Sequence, residues 1–167
     1  MSQPTTAYQD LIALYASGPK QFRKALSGLS PSDLDLARAE GKWTIRQIVH
    51  HIVDAEDLWK ICIKSALGNP GCTVDVSWYI VDNKWAVPLD YANRPIGEAV
   101  KYFEAVRRHV VELIGHLPDA WGQHIILTRG SGTERKKLTV KDIVERQVRH
   151  LVLHIEQIRE TRRVHKL

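Results

Sequence analysis

The chain has little cysteine: two residues, Cys62 and Cys72, in a length of 167. A pair without close metal-binding spacing excludes a zinc ribbon or a disulfide scaffold and suits a reducing compartment. Long hydrophobic runs are also missing, since no segment reaches the ~18 uninterrupted apolar residues of a membrane span. The opening MSQPTTAYQD has neither the basic start nor the apolar core of a secretion signal, so the expectation is a soluble, cytoplasmic protein with no membrane partner. Acidic residues are in deficit, 19 against 24 lysines and arginines, leaving a net charge of +5. A visible share of that excess lies in the terminal RETRRVHKL, which has no interleaved aromatics and matches no nucleic-acid module. It reads as a solvated helix end that complements the helix dipole, so nucleic acid is not the expected partner. No repeat, low-complexity tract or long linker divides the sequence, which predicts a single domain over residues 1–167. A chain of that size buries about two-thirds of its unfolded surface and needs no metal merely to fold.

What is present is helical punctuation. In LSPSDL, Ser30 can cap, Pro31 takes the first helical position, Asp33 the third, and Leu29 and Leu34 are spaced as a hydrophobic staple. WTIRQI pairs Thr44 with Gln47 as a capping box, stapled by Trp43 and Ile48. LTVKDI repeats the device with Thr139 and Asp142, stapled by Leu138 and Ile143. Together with the apolar periodicity, these signals predict four substantial helices: Ala7 to Leu26, kinked at Pro19, then Thr44 to Leu67, Pro95 to Ile114 and Thr139 to Arg163. The connections before the third and fourth helices are longer than the 2–8 residues of a plain bundle. HIILT could be a brief extended piece, and no other strand signal is convincing. The expected fold is all-α, a four-helix bundle with long crossover connections.

HLVLH places His150 and His154 four residues apart, on one face of a helix. On a helical wheel Val140, Ile143, Val144, Leu151, Ile155 and Ile158 lie within roughly 60° of a centre shared by Gln147 and His154, with His150 roughly 80° away. On the second helix the apolar centre leaves His51 roughly 80° off and His50 nearly opposite. His51 is therefore the inward member of that pair. Such histidines are either hydrogen-bonded within a core or converge on a metal, if the two helices pack side by side. Three imidazoles suit zinc, nickel, copper or iron and leave a position for water or substrate. Leu151, Val152 and Leu153 fill the gap between the histidines, so the zincin pattern with its glutamate base is excluded. Activation of water would then fall mainly to the metal. Gln147 could orient a ligating ring through its free nitrogen, and Asp54 and Glu56 are weaker candidates for the same task. The other histidines lack a partner at ligand spacing, and Cys62 reads as core.

These residues carry a resemblance. GKWTIRQIVHHIVDAE, followed about a hundred residues later by HLVLHIEQI, is similar to the DinB/YfiT-like superfamily, and SGPKQFRKALSGLSPSDLD and KKLTVKDIV extend the likeness over most of the chain. The resemblance implies an up-down-down-up bundle, often dimeric, with a divalent ion such as zinc, nickel, iron or manganese held by His51, His150 and His154. Characterised relatives include metal-dependent transferases that attach low-molecular-weight thiols to electrophiles, a thiol-dependent isomerase and proposed hydrolases. The expectation is a homodimeric enzyme in which metal-bound water or thiol attacks a small-molecule substrate. Thiol S-transfer, with a low-molecular-weight thiol as cosubstrate, is the first choice. A metal-dependent hydrolase and a non-catalytic metal-binding stress-response protein are the alternatives. Extra histidines seen in the final motif of several relatives are missing here, and residues 71–93 match no substrate signature.

Overall fold

Four long amphipathic helices carry the architecture, and each ends within two residues of the range its apolar period predicts. The computed structural model describes residues 6–79, 83–130 and 134–167. The long helices are α1 (Thr6–Leu26), α2 (Ile45–Gly68), α4 (Gly97–His116) and α5 (Val140–His165), with a single turn, α3 (Asn83–Ala86), between α2 and α4. Both predicted capping boxes form. Thr44 Oγ1 accepts from Gln47 N at 3.3 Å while Thr44 N donates to Gln47 Oε1 at 2.9 Å; Thr139 and Asp142 make the same exchange at 3.1 and 2.9 Å. Each box satisfies backbone donors that the first helical turn leaves unpaired.

Helices α1 and α2 each pack on both α4 and α5. Near the end of α5, Arg162 donates to the carbonyls of Ala25 and Ser27 at the end of α1, so these two helices run the same way. Phe103, early in α4, meets Phe22, late in α1, and Ile45 at the start of α2 shares a core cluster with Ile158 near the end of α5. Hence α2 and α4 run opposite to α1 and α5, which is the up-down-down-up order. Among the described residues no helix is long and apolar enough to cross a membrane.

Pro19 lies inside α1 without ending it. A proline cannot donate to the carbonyl four residues earlier, here that of Tyr15. Arg107 Nη1, reaching over from α4, donates to that carbonyl at 3.1 Å. Its approach depends on Gly18, because a Cβ there would lie 2.1 Å from Arg107 Nη1 and 2.7 Å from Leu151 Cδ2. The Gly-Pro pair thus forms a dock for a guanidinium.

Two expectations need correction. The Ser30 signal starts only a 3-10 turn, Asp33–Asp35. Ser30 and Asp33 do bond reciprocally, but Leu36 is extended and its carbonyl accepts from Ile45 N at 3.1 Å, so the backbone is drawn into the start of α2. HIILT is a strand, as expected, but it has company. Strands β1 (Thr73–Asp75), β2 (His124–Arg129) and β3 (Glu134–Thr139) make one sheet in the order β1-β2-β3, with β1 parallel and β3 antiparallel to β2. Ile125 and Leu138, paired across β2 and β3, are buried with Trp59, Cys62 and Ile63 of α2, so the sheet closes one end of the bundle. The basic terminus is mostly engaged: Arg163 pairs with Glu160, Arg162 binds α1, and His165 Nε2 donates to Ala37 O at 2.9 Å.

Candidate metal centre

His51 and the pair His150 and His154 stand on α2 and α5, which pack against each other. Their rings meet through the same atom: His150 Nε2 lies 3.0 Å from His51 Nε2 and 3.1 Å from His154 Nε2, and the three donor atoms fall within 4.8 Å of one another. His51 and His154 are 5% and 8% exposed, whereas His150 is only partly buried and so opens the cluster on one side. Trp43, from the Gly-Lys-Trp entry to α2, packs edge-on against His51 with ring centroids 5.0 Å apart.

Proton bookkeeping shows what the cluster suits. His154 Nδ1 lies 2.9 Å from Gln157 Oε1, an acceptor, so Nδ1 carries the proton and Nε2 a lone pair. A ring nitrogen holds either a proton or a lone pair, so the two Nε2 contacts of His150 cannot both be linear hydrogen bonds. Burial, and then the other rings, press the imidazoles toward neutrality. Desolvation followed by the His154 charge takes His51 down to about 3, and desolvation followed by His154 and His51 takes His150 down to about 2. His154 is lowered by burial against the opposing pull of Gln157. Three neutral imidazole nitrogens facing one point are a donor set that fits a divalent ion.

These depressed values imply a pH dependence in the metal-free protein. Unfolded histidines take up protons near pH 6.5 while the buried rings stay neutral, so stability is complete above that value and falls as pH drops toward 3. Each ring adds a slope of up to about 1.4 kcal/mol per pH unit. Denaturant melts of chelator-treated protein at pH 7.5 and 5.5 should show the loss; identical midpoints would contradict it.

The residues around the cluster are arranged differently from expectation. The Gln147 side chain, 1% exposed, makes no hydrogen bond among the described residues, and it is its carbonyl that accepts from Arg107 Nη2 at 3.2 Å. The carboxylate of Asp54 accepts from Trp85 Nε1 at 2.8 Å and from the Tyr91 hydroxyl. Glu56 is buried rather than exposed, accepting from Arg107 Nη2 at 3.0 Å and from the Tyr15 hydroxyl. None of the three bonds a cluster imidazole among the described residues. The partner that does is Gln157, three residues after His154 on the same face, a spacing that could have revealed it. His50 is buried as well, at 1% exposure, because the connection before α4 covers the outer side of α2. Its Nε2 donates to Arg94 O at 3.2 Å and its Nδ1 accepts from Arg94 Nη2 at 3.1 Å, a neutral tautomer turned away from the cluster. Cys62 is core, its thiol pushed up to about 12 by burial and then by Cys72.

Residues 14–158 match the family model of the DinB superfamily. The chain belongs to the DinB superfamily. Among relatives of this DinB-superfamily chain, a protein of Geobacillus kaustophilus named provisionally as a metal-dependent hydrolase is 26% identical over 126 residues, 75% of this chain and 69% of its own length. Proteins with the same provisional name are 27% identical over 142 residues in Bacillus mycoides, covering 85% of this chain and 79% of the relative, and 31% identical over 90 residues in Oceanobacillus iheyensis. The last match covers 54% of this chain and spans 50% of that relative. Among solved structures, YfiT from Bacillus subtilis, described in similar provisional terms and as an unusual four-helix bundle, superposes with a TM-score of 0.81 at 21% identity over 97% of this chain and 89% of its own. At that identity the likeness shows the shared fold.

Proposed function

We propose that His51, His150 and His154 hold one divalent ion and that the protein is a metal-dependent enzyme acting on a small electrophilic molecule. The observation that carries this reading is the meeting of three neutral Nε2 atoms from two helices, with His150 partly open to solvent. A divalent ion there would supply Lewis acidity, lowering the pKa of a thiol or water admitted beside the three rings. The chain's own contribution is positional. Gln157 fixes the tautomer of His154 so that Nε2 presents its lone pair, Trp43 walls the far edge of His51, and burial keeps protons from competing for the nitrogens.

No carboxylate bonds a cluster ring among the described residues, so this reading assigns activation of the nucleophile to the ion itself. A thiol ionises near 8.5 and bulk water near 15.7, so the thiol needs far less help. That difference supports transfer of a low-molecular-weight thiol as the first reading; the provisional names of the relatives support hydrolysis as the second. A cytoplasmic location fits two unbridged cysteines, and a homodimer fits the exposed Val152 and Leu153 on α5.

The test is turnover by protein stripped with a chelator and reloaded with zinc, nickel, manganese or iron(II), given a haloalkyl electrophile with and without L-cysteine, and an activated aryl ester alone. Metal-restored consumption of the electrophile only when thiol is present is the expected result. Ester cleavage without thiol would establish the hydrolase instead, and no metal-dependent turnover in any arm would leave a non-catalytic binding protein.

A further inference from the structure

Between α2, β1 and the side chains of Trp78, Tyr79, Trp85, Leu89 and Arg94 lies a cavity of about 460 Å³, inside the roughly 300–1,000 Å³ range of small-molecule sites. No cluster histidine lines it, but Asp54 on its wall follows His51 by three residues, about 4.5 Å along the axis of α2.

Two kinds of group make this wall unusual. One is aromatic. Tyr79 meets Trp85 at 5.1 Å between centroids and 71°, Trp78 meets Tyr79 at 5.9 Å and 70°, and Trp78 meets Trp85 at 5.5 Å and 47°. An aromatic ring carries an electron-rich face, to which a cation lying over it is attracted. Trp78 is 55% exposed, so a solute can reach it without opening the core.

The other kind is anionic: Asp54, Asp57 and Asp75 line the cavity against a single guanidinium, Arg94, which is turned to His50 Nδ1 and to the Leu89 carbonyl. Hydrogen bonds from the Ser77 hydroxyl and backbone, with another from Thr128, hold Asp75 below its ordinary range. Against the upward push of burial, Lys60 and Tyr102 hold Asp57 below its own. Tyr79 is 6% exposed, and its hydroxyl has no hydrogen-bond partner among the described residues although the side chain lines the cavity.

We infer that this cavity binds an organic cation, the ammonium-bearing end of the substrate whose reacting end reaches the histidine centre; only that second clause rests on the proposed function. An ammonium group is attracted both to ring faces and to carboxylates. An anion would meet three carboxylates against two cations, Arg94 and the Lys60 paired with Asp57, and a neutral apolar group would desolvate carboxylates without compensating them.

The experiment compares choline with its uncharged isostere 3,3-dimethyl-1-butanol, titrated into the full chain after chelator treatment and again after metal loading, followed by indole fluorescence and calorimetry. Choline should bind saturably in both preparations, with the isostere at least about tenfold weaker. Trp78→Ala, at an exposed position, should weaken choline by about 2- to 30-fold while leaving the melting temperature in place. Asp75→Asn should weaken choline and leave the isostere unchanged. Equal affinity for the two probes, no saturable choline binding, or wild-type affinity in a folded Trp78→Ala would each overturn the inference. Choline binding in a chain that takes up no metal on loading strikes only the metal reading, whereas metal uptake without choline binding strikes only the cavity.

Discussion

Alanine at His154 is expected to abolish retention of a divalent ion through dialysis against a chelator, with an apparent affinity at least about 100-fold below wild type. Removing a group that merely orients a ligand commonly costs about 10–100-fold, so losing one of three donors should cost more. Gln157→Leu supplies the graded comparison. It keeps all three Nε2 atoms but removes the acceptor at 2.9 Å from His154 Nδ1, and should fall within that 10–100-fold range. Neither variant should unfold the chain, since each removes buried polarity from the edge of a core that Ile155, Ile158 and Leu151 still fill. Elemental analysis of untagged protein, with chelator competition for affinity, reads both effects. Equal metal content in wild type and His154→Ala would remove the basis of the proposed centre.

Methionine at Arg107 is expected to destabilise the protein by about 3–5 kcal/mol, the usual cost of breaking a buried ion pair on one side. Arg107 and Glu56 are 1% and 3% exposed as side chains, and Arg107 also lies over the rings of Tyr15 and Phe103 at 4.2 and 4.7 Å. From α4 this one side chain bonds the proline-orphaned carbonyl of α1, a carboxylate of α2 and a carbonyl of α5. Its loss leaves the Glu56 charge buried and the Tyr15 carbonyl unpaired, and on the order of 10 °C should go from the melting temperature. Adding Glu56→Gln to Arg107→Met should restore part of the loss, because the second change removes the uncompensated charge. A single Arg107→Met variant that melts with the wild type would show that the clamp contributes nothing to stability.

The facing of His51, His150 and His154 was readable because each belongs to a long helix, of 24 or 26 residues, whose apolar stripe defines an inward direction. The clamp left a fainter trace. Arg107 follows Phe103 by four residues and precedes Val110 by three, and Glu56 stands likewise between Ile52 and Trp59, so both charges sit on apolar stripes. A wheel shows such a charge facing inward but cannot say what it meets, since the pairing is tertiary. His50 misled for a related reason: a wheel assumes one solvent face, and the connection before α4 took that face away. The sheet was hidden because β1 has three residues and β3 reads ERKKLT, without the alternation that marks a half-buried strand. Both are strands because β2 offers them a ladder.

His51 and His150 stand 99 positions apart. A nascent chain extended at about 5–20 residues per second leaves the first ring waiting on the order of 5–20 s for the others. Until α5 has emerged and folded back onto α2, His51 lacks the two rings that it meets in the folded chain. The proposed centre is therefore assembled only after α5 is made, and a product truncated before residue 150 would lack two of its three rings.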